Sequence, residues 1–156
     1  MSARFTRRAA LRAGATVATV SLAGCGGGGG GGPSGGGNGD GGGAIEIEPG
    51  TQIELDGITA GWEGLAPSAI EGSTNPTLSL VEGETYEIGW TQGDGANHNI
   101  AIHDDNEEVV DDLATEIVSD PGDGQWLEFE VGSEMTTYIC EVHPTTMIGD
   151  IELRSG

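Results

Sequence analysis

From residue 26 to residue 43 the chain reads "GGGGGGGPSGGGNGDGGG", with 14 of 18 positions occupied by glycine. Nothing in such a stretch can be buried, and glycine's conformational freedom opposes any fixed backbone. The run is therefore a flexible tether, with a root-mean-square reach of about 24 Å. Residues on its two sides cannot share a core. The chain divides into a leader (1–24), a tether opened by Cys25 (25–43) and one domain (44–156).

Charge is split along the same line. Arg4, Arg7, Arg8 and Arg12 precede the tether, there is no lysine, and from residue 25 onward 26 acids face Arg154 alone, a net −25 with His neutral. Such a surface excludes nucleic acid as a partner. The acids are interleaved with Ile, Val, Leu and Trp rather than run in blocks, so the reading is a folded domain, not an acidic tail. Self-repulsion at this density calls for very high salt. A carboxylate-rich surface without lysine resembles proteins of extremely halophilic archaea.

In the leader, "TRRAALR" (6–12) precedes "AGATVATVSLAG" (13–24). A spanning helix needs about 20 apolar residues, so this shorter stretch reads as the apolar part of a signal peptide. Arg7 and Arg8, with Leu11 behind them, resemble a twin-arginine export signal. "LAGC" (22–25) resembles a lipobox, whose cysteine becomes the lipidated first residue of the mature protein. The expected location is the extracytoplasmic face of the cell membrane, with Cys25 as anchor. A Cys25–Cys140 disulfide is the competing use, disfavoured because nothing holds the tether near the core. With Cys25 assigned to lipid, Cys140 stands alone, either a liability or a ligand.

Beyond the tether, short alternating runs are broken by Gly, Pro, Asn and Asp. Strands are predicted at 45–48, 51–55, 77–81, 85–91, 99–103, 126–131, 136–140 and 149–153. "VEGET" (81–85) reads as a tight turn. Residues 105–118 carry acids on both helical faces and read as an irregular crossover with at most a short helical turn. This spacing predicts an all-β sandwich. Trp62, Trp90, Trp126, Tyr86, Tyr138 and Phe129 are its aromatics, and most are expected in the core. No internal repeat is visible, and the glycine run comes after no strand, so it is not a phosphate-binding loop.

The chemistry is concentrated in "YICEVHPTTMIGDIEL" (138–153), where Cys140, His143 and Met147 are spaced C-x2-H-x3-M. Pro144 favours a turn that lets thiolate and imidazole meet one ion. Soft sulfur ligands with imidazole suit copper, and Cys with two His and a weak axial Met is the blue-copper arrangement. A second His must come from "NHNIAIHD" (97–104). On a strand, His98 shares its face with Ile100 and Ile102 and points inward, whereas His103 shares its face with Asn99 and Ala101 and is expected at the surface, not at the metal. Other uses of the trio stand beside copper. A Cys–His nucleophile lacks an Asp or Asn placed to orient the histidine, and structural zinc prefers harder closure than a thioether.

"NPTLSLVEGETYEIGW", "HNIAIHD" and "YICEVHPTTMIGDIEL" together resemble the plastocyanin-type blue copper proteins, most of all the halocyanins, over roughly residues 74–153. The resemblance implies a cupredoxin-like Greek-key β-sandwich and one type 1 copper ion held by His98, Cys140, His143 and Met147. It implies that Asn99 hydrogen-bonds across to the cysteine loop and holds the two together. His143, Pro144 and Ile148 become candidates for an apolar docking patch. Plastocyanin-like loops usually place four residues between the loop His and the Met. This loop has three, close to the short loop of amicyanins. The implied role is that of a monomeric, membrane-anchored carrier of single electrons between redox partner proteins, not an enzyme. Copper storage or delivery is the alternative.

Overall fold

Among the described residues the alternating runs settle into ten strands in two sheets. The structure is a computed structural model and describes residues 43–156. Arg7, Arg8, Cys25 and the glycine run lie outside the described residues. One sheet carries β1 (Ile45–Glu46), β4 (Leu78–Val81), β10 (Ile148–Arg154), β9 (Thr137–Ile139), β6 (Ala101–His103) and β7 (Val109–Ala114), side by side in that order. The other carries β3 (Gly61–Ala66), β2 (Gln52–Ile58), β5 (Thr85–Gly93) and β8 (Gln125–Glu130). No helix occurs among the described residues, as the alternation requires.

The chain passes repeatedly from one sheet to the other. That leaves β1–β4, β4–β10 and β2–β5 parallel and the remaining pairs antiparallel. The predicted turn at 81–85 is present. Gly83 takes φ 82° and Glu84 N–H donates to the Val81 carbonyl at 3.2 Å.

The core lies between the sheets. From one side come Ile53 and Leu55 of β2, Trp62 of β3 and Tyr86, Ile88 and Trp90 of β5. From the other come Leu78, Leu80, Ile100, Ile102, Tyr138 and Ile151. Both buried phenols are satisfied. Tyr138 donates to the Pro76 carbonyl at 2.5 Å, and Tyr86 donates to the Ile47 carbonyl at 3.0 Å. The aromatics are core as expected, except that Trp126 is only partly buried.

Three expectations need correction. Residues 105–118 are not a crossover with a helical turn. They contain edge strand β7, paired with β6 across a register shift. Asp111 and Asp112 take φ 47° and 58°, a conformation that aspartate tolerates better than most residues, and such an irregular, charged edge resists further strand addition. Strand β3 (Gly61–Ala66) was not expected, because its two glycines break the alternation. Gly64 is needed there for space: a Cβ would overlap the Ile70 carbonyl oxygen. The expected strand at 99–103 is only three residues long, and His103 is buried, not exposed, at 9% relative accessibility between Thr137 and Val109 on the flanking strands. Placement on the sheet's outer face does not expose it, because Asp104, Glu107 and Pro144 wall the same groove.

Candidate metal centre

His98 arrives between β5 and β6, and a two-residue bridge fixes its backbone. Its N–H donates to the Val118 carbonyl at 2.8 Å, and Val118 N–H returns a bond at 3.0 Å. The ring is fully buried. Trp90 meets it edge-on at a centroid distance of 5.5 Å, and Trp62 lies at 6.4 Å. Gly57 of β2 makes room for this packing, since a Cβ there would come within 2.9 Å of Trp90 and 3.2 Å of His98.

Cys140 lies just after β9 and Met147 just before β10, so the other donors come from the loop joining two paired strands. The loop is closed by short backbone bonds. Cys140 N–H donates to the Met147 carbonyl at 2.9 Å, His143 N–H to the Cys140 carbonyl at 3.1 Å, and Met147 N–H to the His143 carbonyl at 3.0 Å. Pro144 sits exposed at the turn. Cys140 and Met147 are fully buried, whereas His143 is half-buried.

These elements bring His98, Cys140 and His143 together, their ligand atoms all within 4.8 Å of one another. Cys140 Sγ is 3.8 Å from Nδ1 of His98 and 3.8 Å from Nδ1 of His143. Those separations are long for hydrogen bonds but suit a shared ion. With zinc as a gauge, bonds of about 2.3 Å to sulfur and 2.0 Å to imidazole, meeting at a trigonal angle of about 120°, separate S from N by about 3.7 Å. Met147 belongs to the same buried cluster as Cys140. A buried thiol, two imidazoles and a nearby thioether fit a single type 1 copper ion. His103 is not part of this group.

Asn99, 1% exposed, joins the two loops. It donates from Nδ2 to Glu141 Oε2 at 2.6 Å and accepts at Oδ1 from Glu141 N–H at 2.9 Å. The second bond is to the residue directly after Cys140, so the link holds the cysteine loop against the His98 segment.

Several contributors were not legible beforehand. Asp94, just beyond β5, shares a 2.8 Å bond with His98 Nε2, so an aspartate does orient a histidine here, the buried one. Its carboxyl is held below the ordinary range by the Thr59 hydroxyl and amide, and then by His98. Asp56 is pushed the other way, mainly by burial and then by Glu63, which faces it across β2 and β3. The spacing D-x3-H in "DGANH" was the available signal for Asp94. Nothing in the sequence pointed to Thr59, which lies in the β2–β3 turn.

No protein-family model matches this chain, and no curated protein matches it by sequence. Solved structures do match. A methionine-to-glutamine variant of rusticyanin is 18% identical, with 71% of this chain and 82% of that chain covered at a TM-score of 0.50. Rusticyanin from Thiobacillus ferrooxidans is 20% identical over 70% of this chain and 80% of that one, at 0.49. A purple cupredoxin from Nitrosopumilus maritimus is 21% identical over 67% and 99%, at 0.43. At these identities the likeness concerns the fold, and the fold statement rests on the first of the three. The domain is an all-β, cupredoxin-like sandwich.

Proposed function

We propose that the protein is a type 1 copper electron carrier of halocyanin kind, exported and anchored to the extracytoplasmic face of the cell membrane. The observation that carries this reading is the meeting of buried His98 and Cys140 with half-buried His143 in a cupredoxin-like sandwich. Rusticyanin, similar in fold, is a copper protein. Here Met147 would supply the fourth donor. Bound copper would supply a one-electron couple between its +1 and +2 states.

The chain's own residues do the rest. His98, Cys140 and Met147 are buried, and together with His143 they would supply four donors and leave no position for a substrate. This argues for electron transfer rather than catalysis. His143 alone is partly exposed, and around its loop stand Val142 at 39%, Ile148 at 36% and an exposed Pro144. We take these apolar side chains as the docking patch through which redox partner proteins exchange electrons with the site. In concentrated salt the Debye length falls to about 3 Å or less, so short-range apolar contact must do the docking, not the acids.

The arrangement of the whole chain belongs to the same proposal. Residues 1–24 serve as a twin-arginine signal with Arg7 and Arg8 at its head, Cys25 carries lipid, residues 25–43 are the leash, and residues 44–156 work as a monomer. Voltammetry of the copper-loaded protein in multimolar salt tests the function. A reversible one-electron wave with rapid self-exchange is expected. Sluggish, irreversible electron exchange with ready release of copper to a chelator would favour storage or delivery instead.

A further inference from the structure

The carboxylate of Asp94 is the most heavily bonded acid beside the site. Its Oδ2 accepts from Thr59 N–H at 2.8 Å and from the Thr59 hydroxyl at 2.6 Å. Its Oδ1 accepts from Ala96 N–H at 3.1 Å and meets His98 Nε2 at 2.8 Å. Three donors from Thr59 and Ala96 already occupy both oxygens, so Oδ1 faces His98 Nε2 as an acceptor with no proton to give. His98 Nε2 must then be the donor. In the neutral ring the bare lone pair then falls on Nδ1, the nitrogen that faces Cys140 Sγ.

Thr59 extends this control. Its backbone carbonyl accepts from the Thr146 hydroxyl at 2.5 Å, and the Thr146 carbonyl accepts from Asn75 Nδ2 at 2.8 Å. One turn residue thus holds Asp94 with its donors and the Cys140–Met147 loop with its acceptor. His143 has no such carboxylate partner among the described residues, so the two imidazoles are held unequally.

We propose that Asp94 is the positioning residue of the metal centre. It fixes the tautomer and ring angle of His98 before metal arrives, and its anionic charge, one imidazole away, weights the site toward the more highly charged oxidation state. This rests on the reading of His98 as a copper ligand. An outer carboxylate makes a ligand histidine more basic as well as better oriented.

The test compares wild type, Asp94→Asn and Asp94→Ala. In the metal-free proteins, long-range proton–nitrogen NMR reads which nitrogen of His98 carries the proton. Chelator competition reads copper affinity, and voltammetry reads the potential. Wild type should show the Nε2–H tautomer alone. Asp94→Ala should mix the tautomers and lose about 10–100-fold in copper affinity. Asp94→Asn, which keeps an acceptor oxygen but no charge, should lose less affinity yet shift the potential upward. A tenfold change in the ratio of Cu(I) to Cu(II) affinity corresponds to about 59 mV.

An Asp94→Ala protein that keeps the Nε2–H tautomer and wild-type affinity overturns the proposal. So does an Asp94→Asn protein with an unmoved potential, and that variant decides alone if the alanine protein does not fold. Failure of the underlying copper reading looks different: wild type would bind copper without a thiolate band while its metal-free tautomer stayed fixed.

Discussion

Removing the side chain of Asn99 should loosen the two ligand-bearing segments from each other, and the size of the loss can be worked from the contacts. Asn99→Ala deletes a 2.6 Å bond to the Glu141 carboxylate and a 2.9 Å bond from the Glu141 amide. A neutral bond contributes about 1 kcal/mol and a charge-assisted one about 1.5–3. Glu141 is exposed, which places the charge-assisted bond at the low end. The expected cost is therefore about 2–3 kcal/mol. For a domain of this size about 4 °C accompanies each kcal/mol, so the melting midpoint should fall by roughly 10 °C. The assay is thermal unfolding of the metal-free protein in multimolar salt, monitored by tryptophan fluorescence. Metal-free protein is the right sample because bound copper would stabilise the native state and mask the loss. Asn99→Asp should fare no better than alanine, since it sets a second carboxylate against that of Glu141. A midpoint for Asn99→Ala within about 2 °C of wild type would refute the claim that this contact holds the loops together.

Other consequences can be checked independently. Asp56 has a raised pKa and faces Glu63, so its ionised form costs stability, and Asp56→Asn should add about 0.5–1 kcal/mol at neutral pH. Because the folded pKa lies above the unfolded one, that gain should fade as pH falls through the folded value toward the ordinary carboxylate range; a gain independent of pH would point elsewhere. With net −25 beyond residue 24, the domain should melt at lower temperature in dilute buffer and recover when salt returns, and equal midpoints would contradict adaptation to high salt. Cys25→Ala should release the protein from membranes or leave it unprocessed, and unchanged fractionation would mean that Cys25 carries no lipid.

The sandwich was legible because its strands are short and alternate strictly, as at Ile53 and Leu55 or Tyr86, Ile88 and Trp90. Strand β3 was hidden by Gly61 and Gly64, which serve close packing rather than alternation. Strand β7 was hidden by its acids, which protect an edge and so mask the underlying Val109, Val110 and Leu113 pattern. The grouping of Cys140 and His143 could be read from spacing, and His98 from the face it shares with Ile100 and Ile102. Burial of His103 could not be read, because alternation tells which side of a sheet a residue occupies but not what loop covers that side. Thr59 and Asp94 are 35 residues apart and meet only through the β2–β5 pairing, a long-range contact with no local signature.

The central claim is that Cys140 supplies a thiolate to one copper ion together with His98, His143 and Met147. The most direct measurement is the absorption and electron-spin spectrum of the Cu(II)-loaded protein beside that of Cys140→Ser. An intense visible thiolate-to-copper band with narrow copper hyperfine splitting is expected in the wild type, both disappearing in the serine variant. A copper-loaded wild type without that band, or a band that survives Cys140→Ser, would contradict the account.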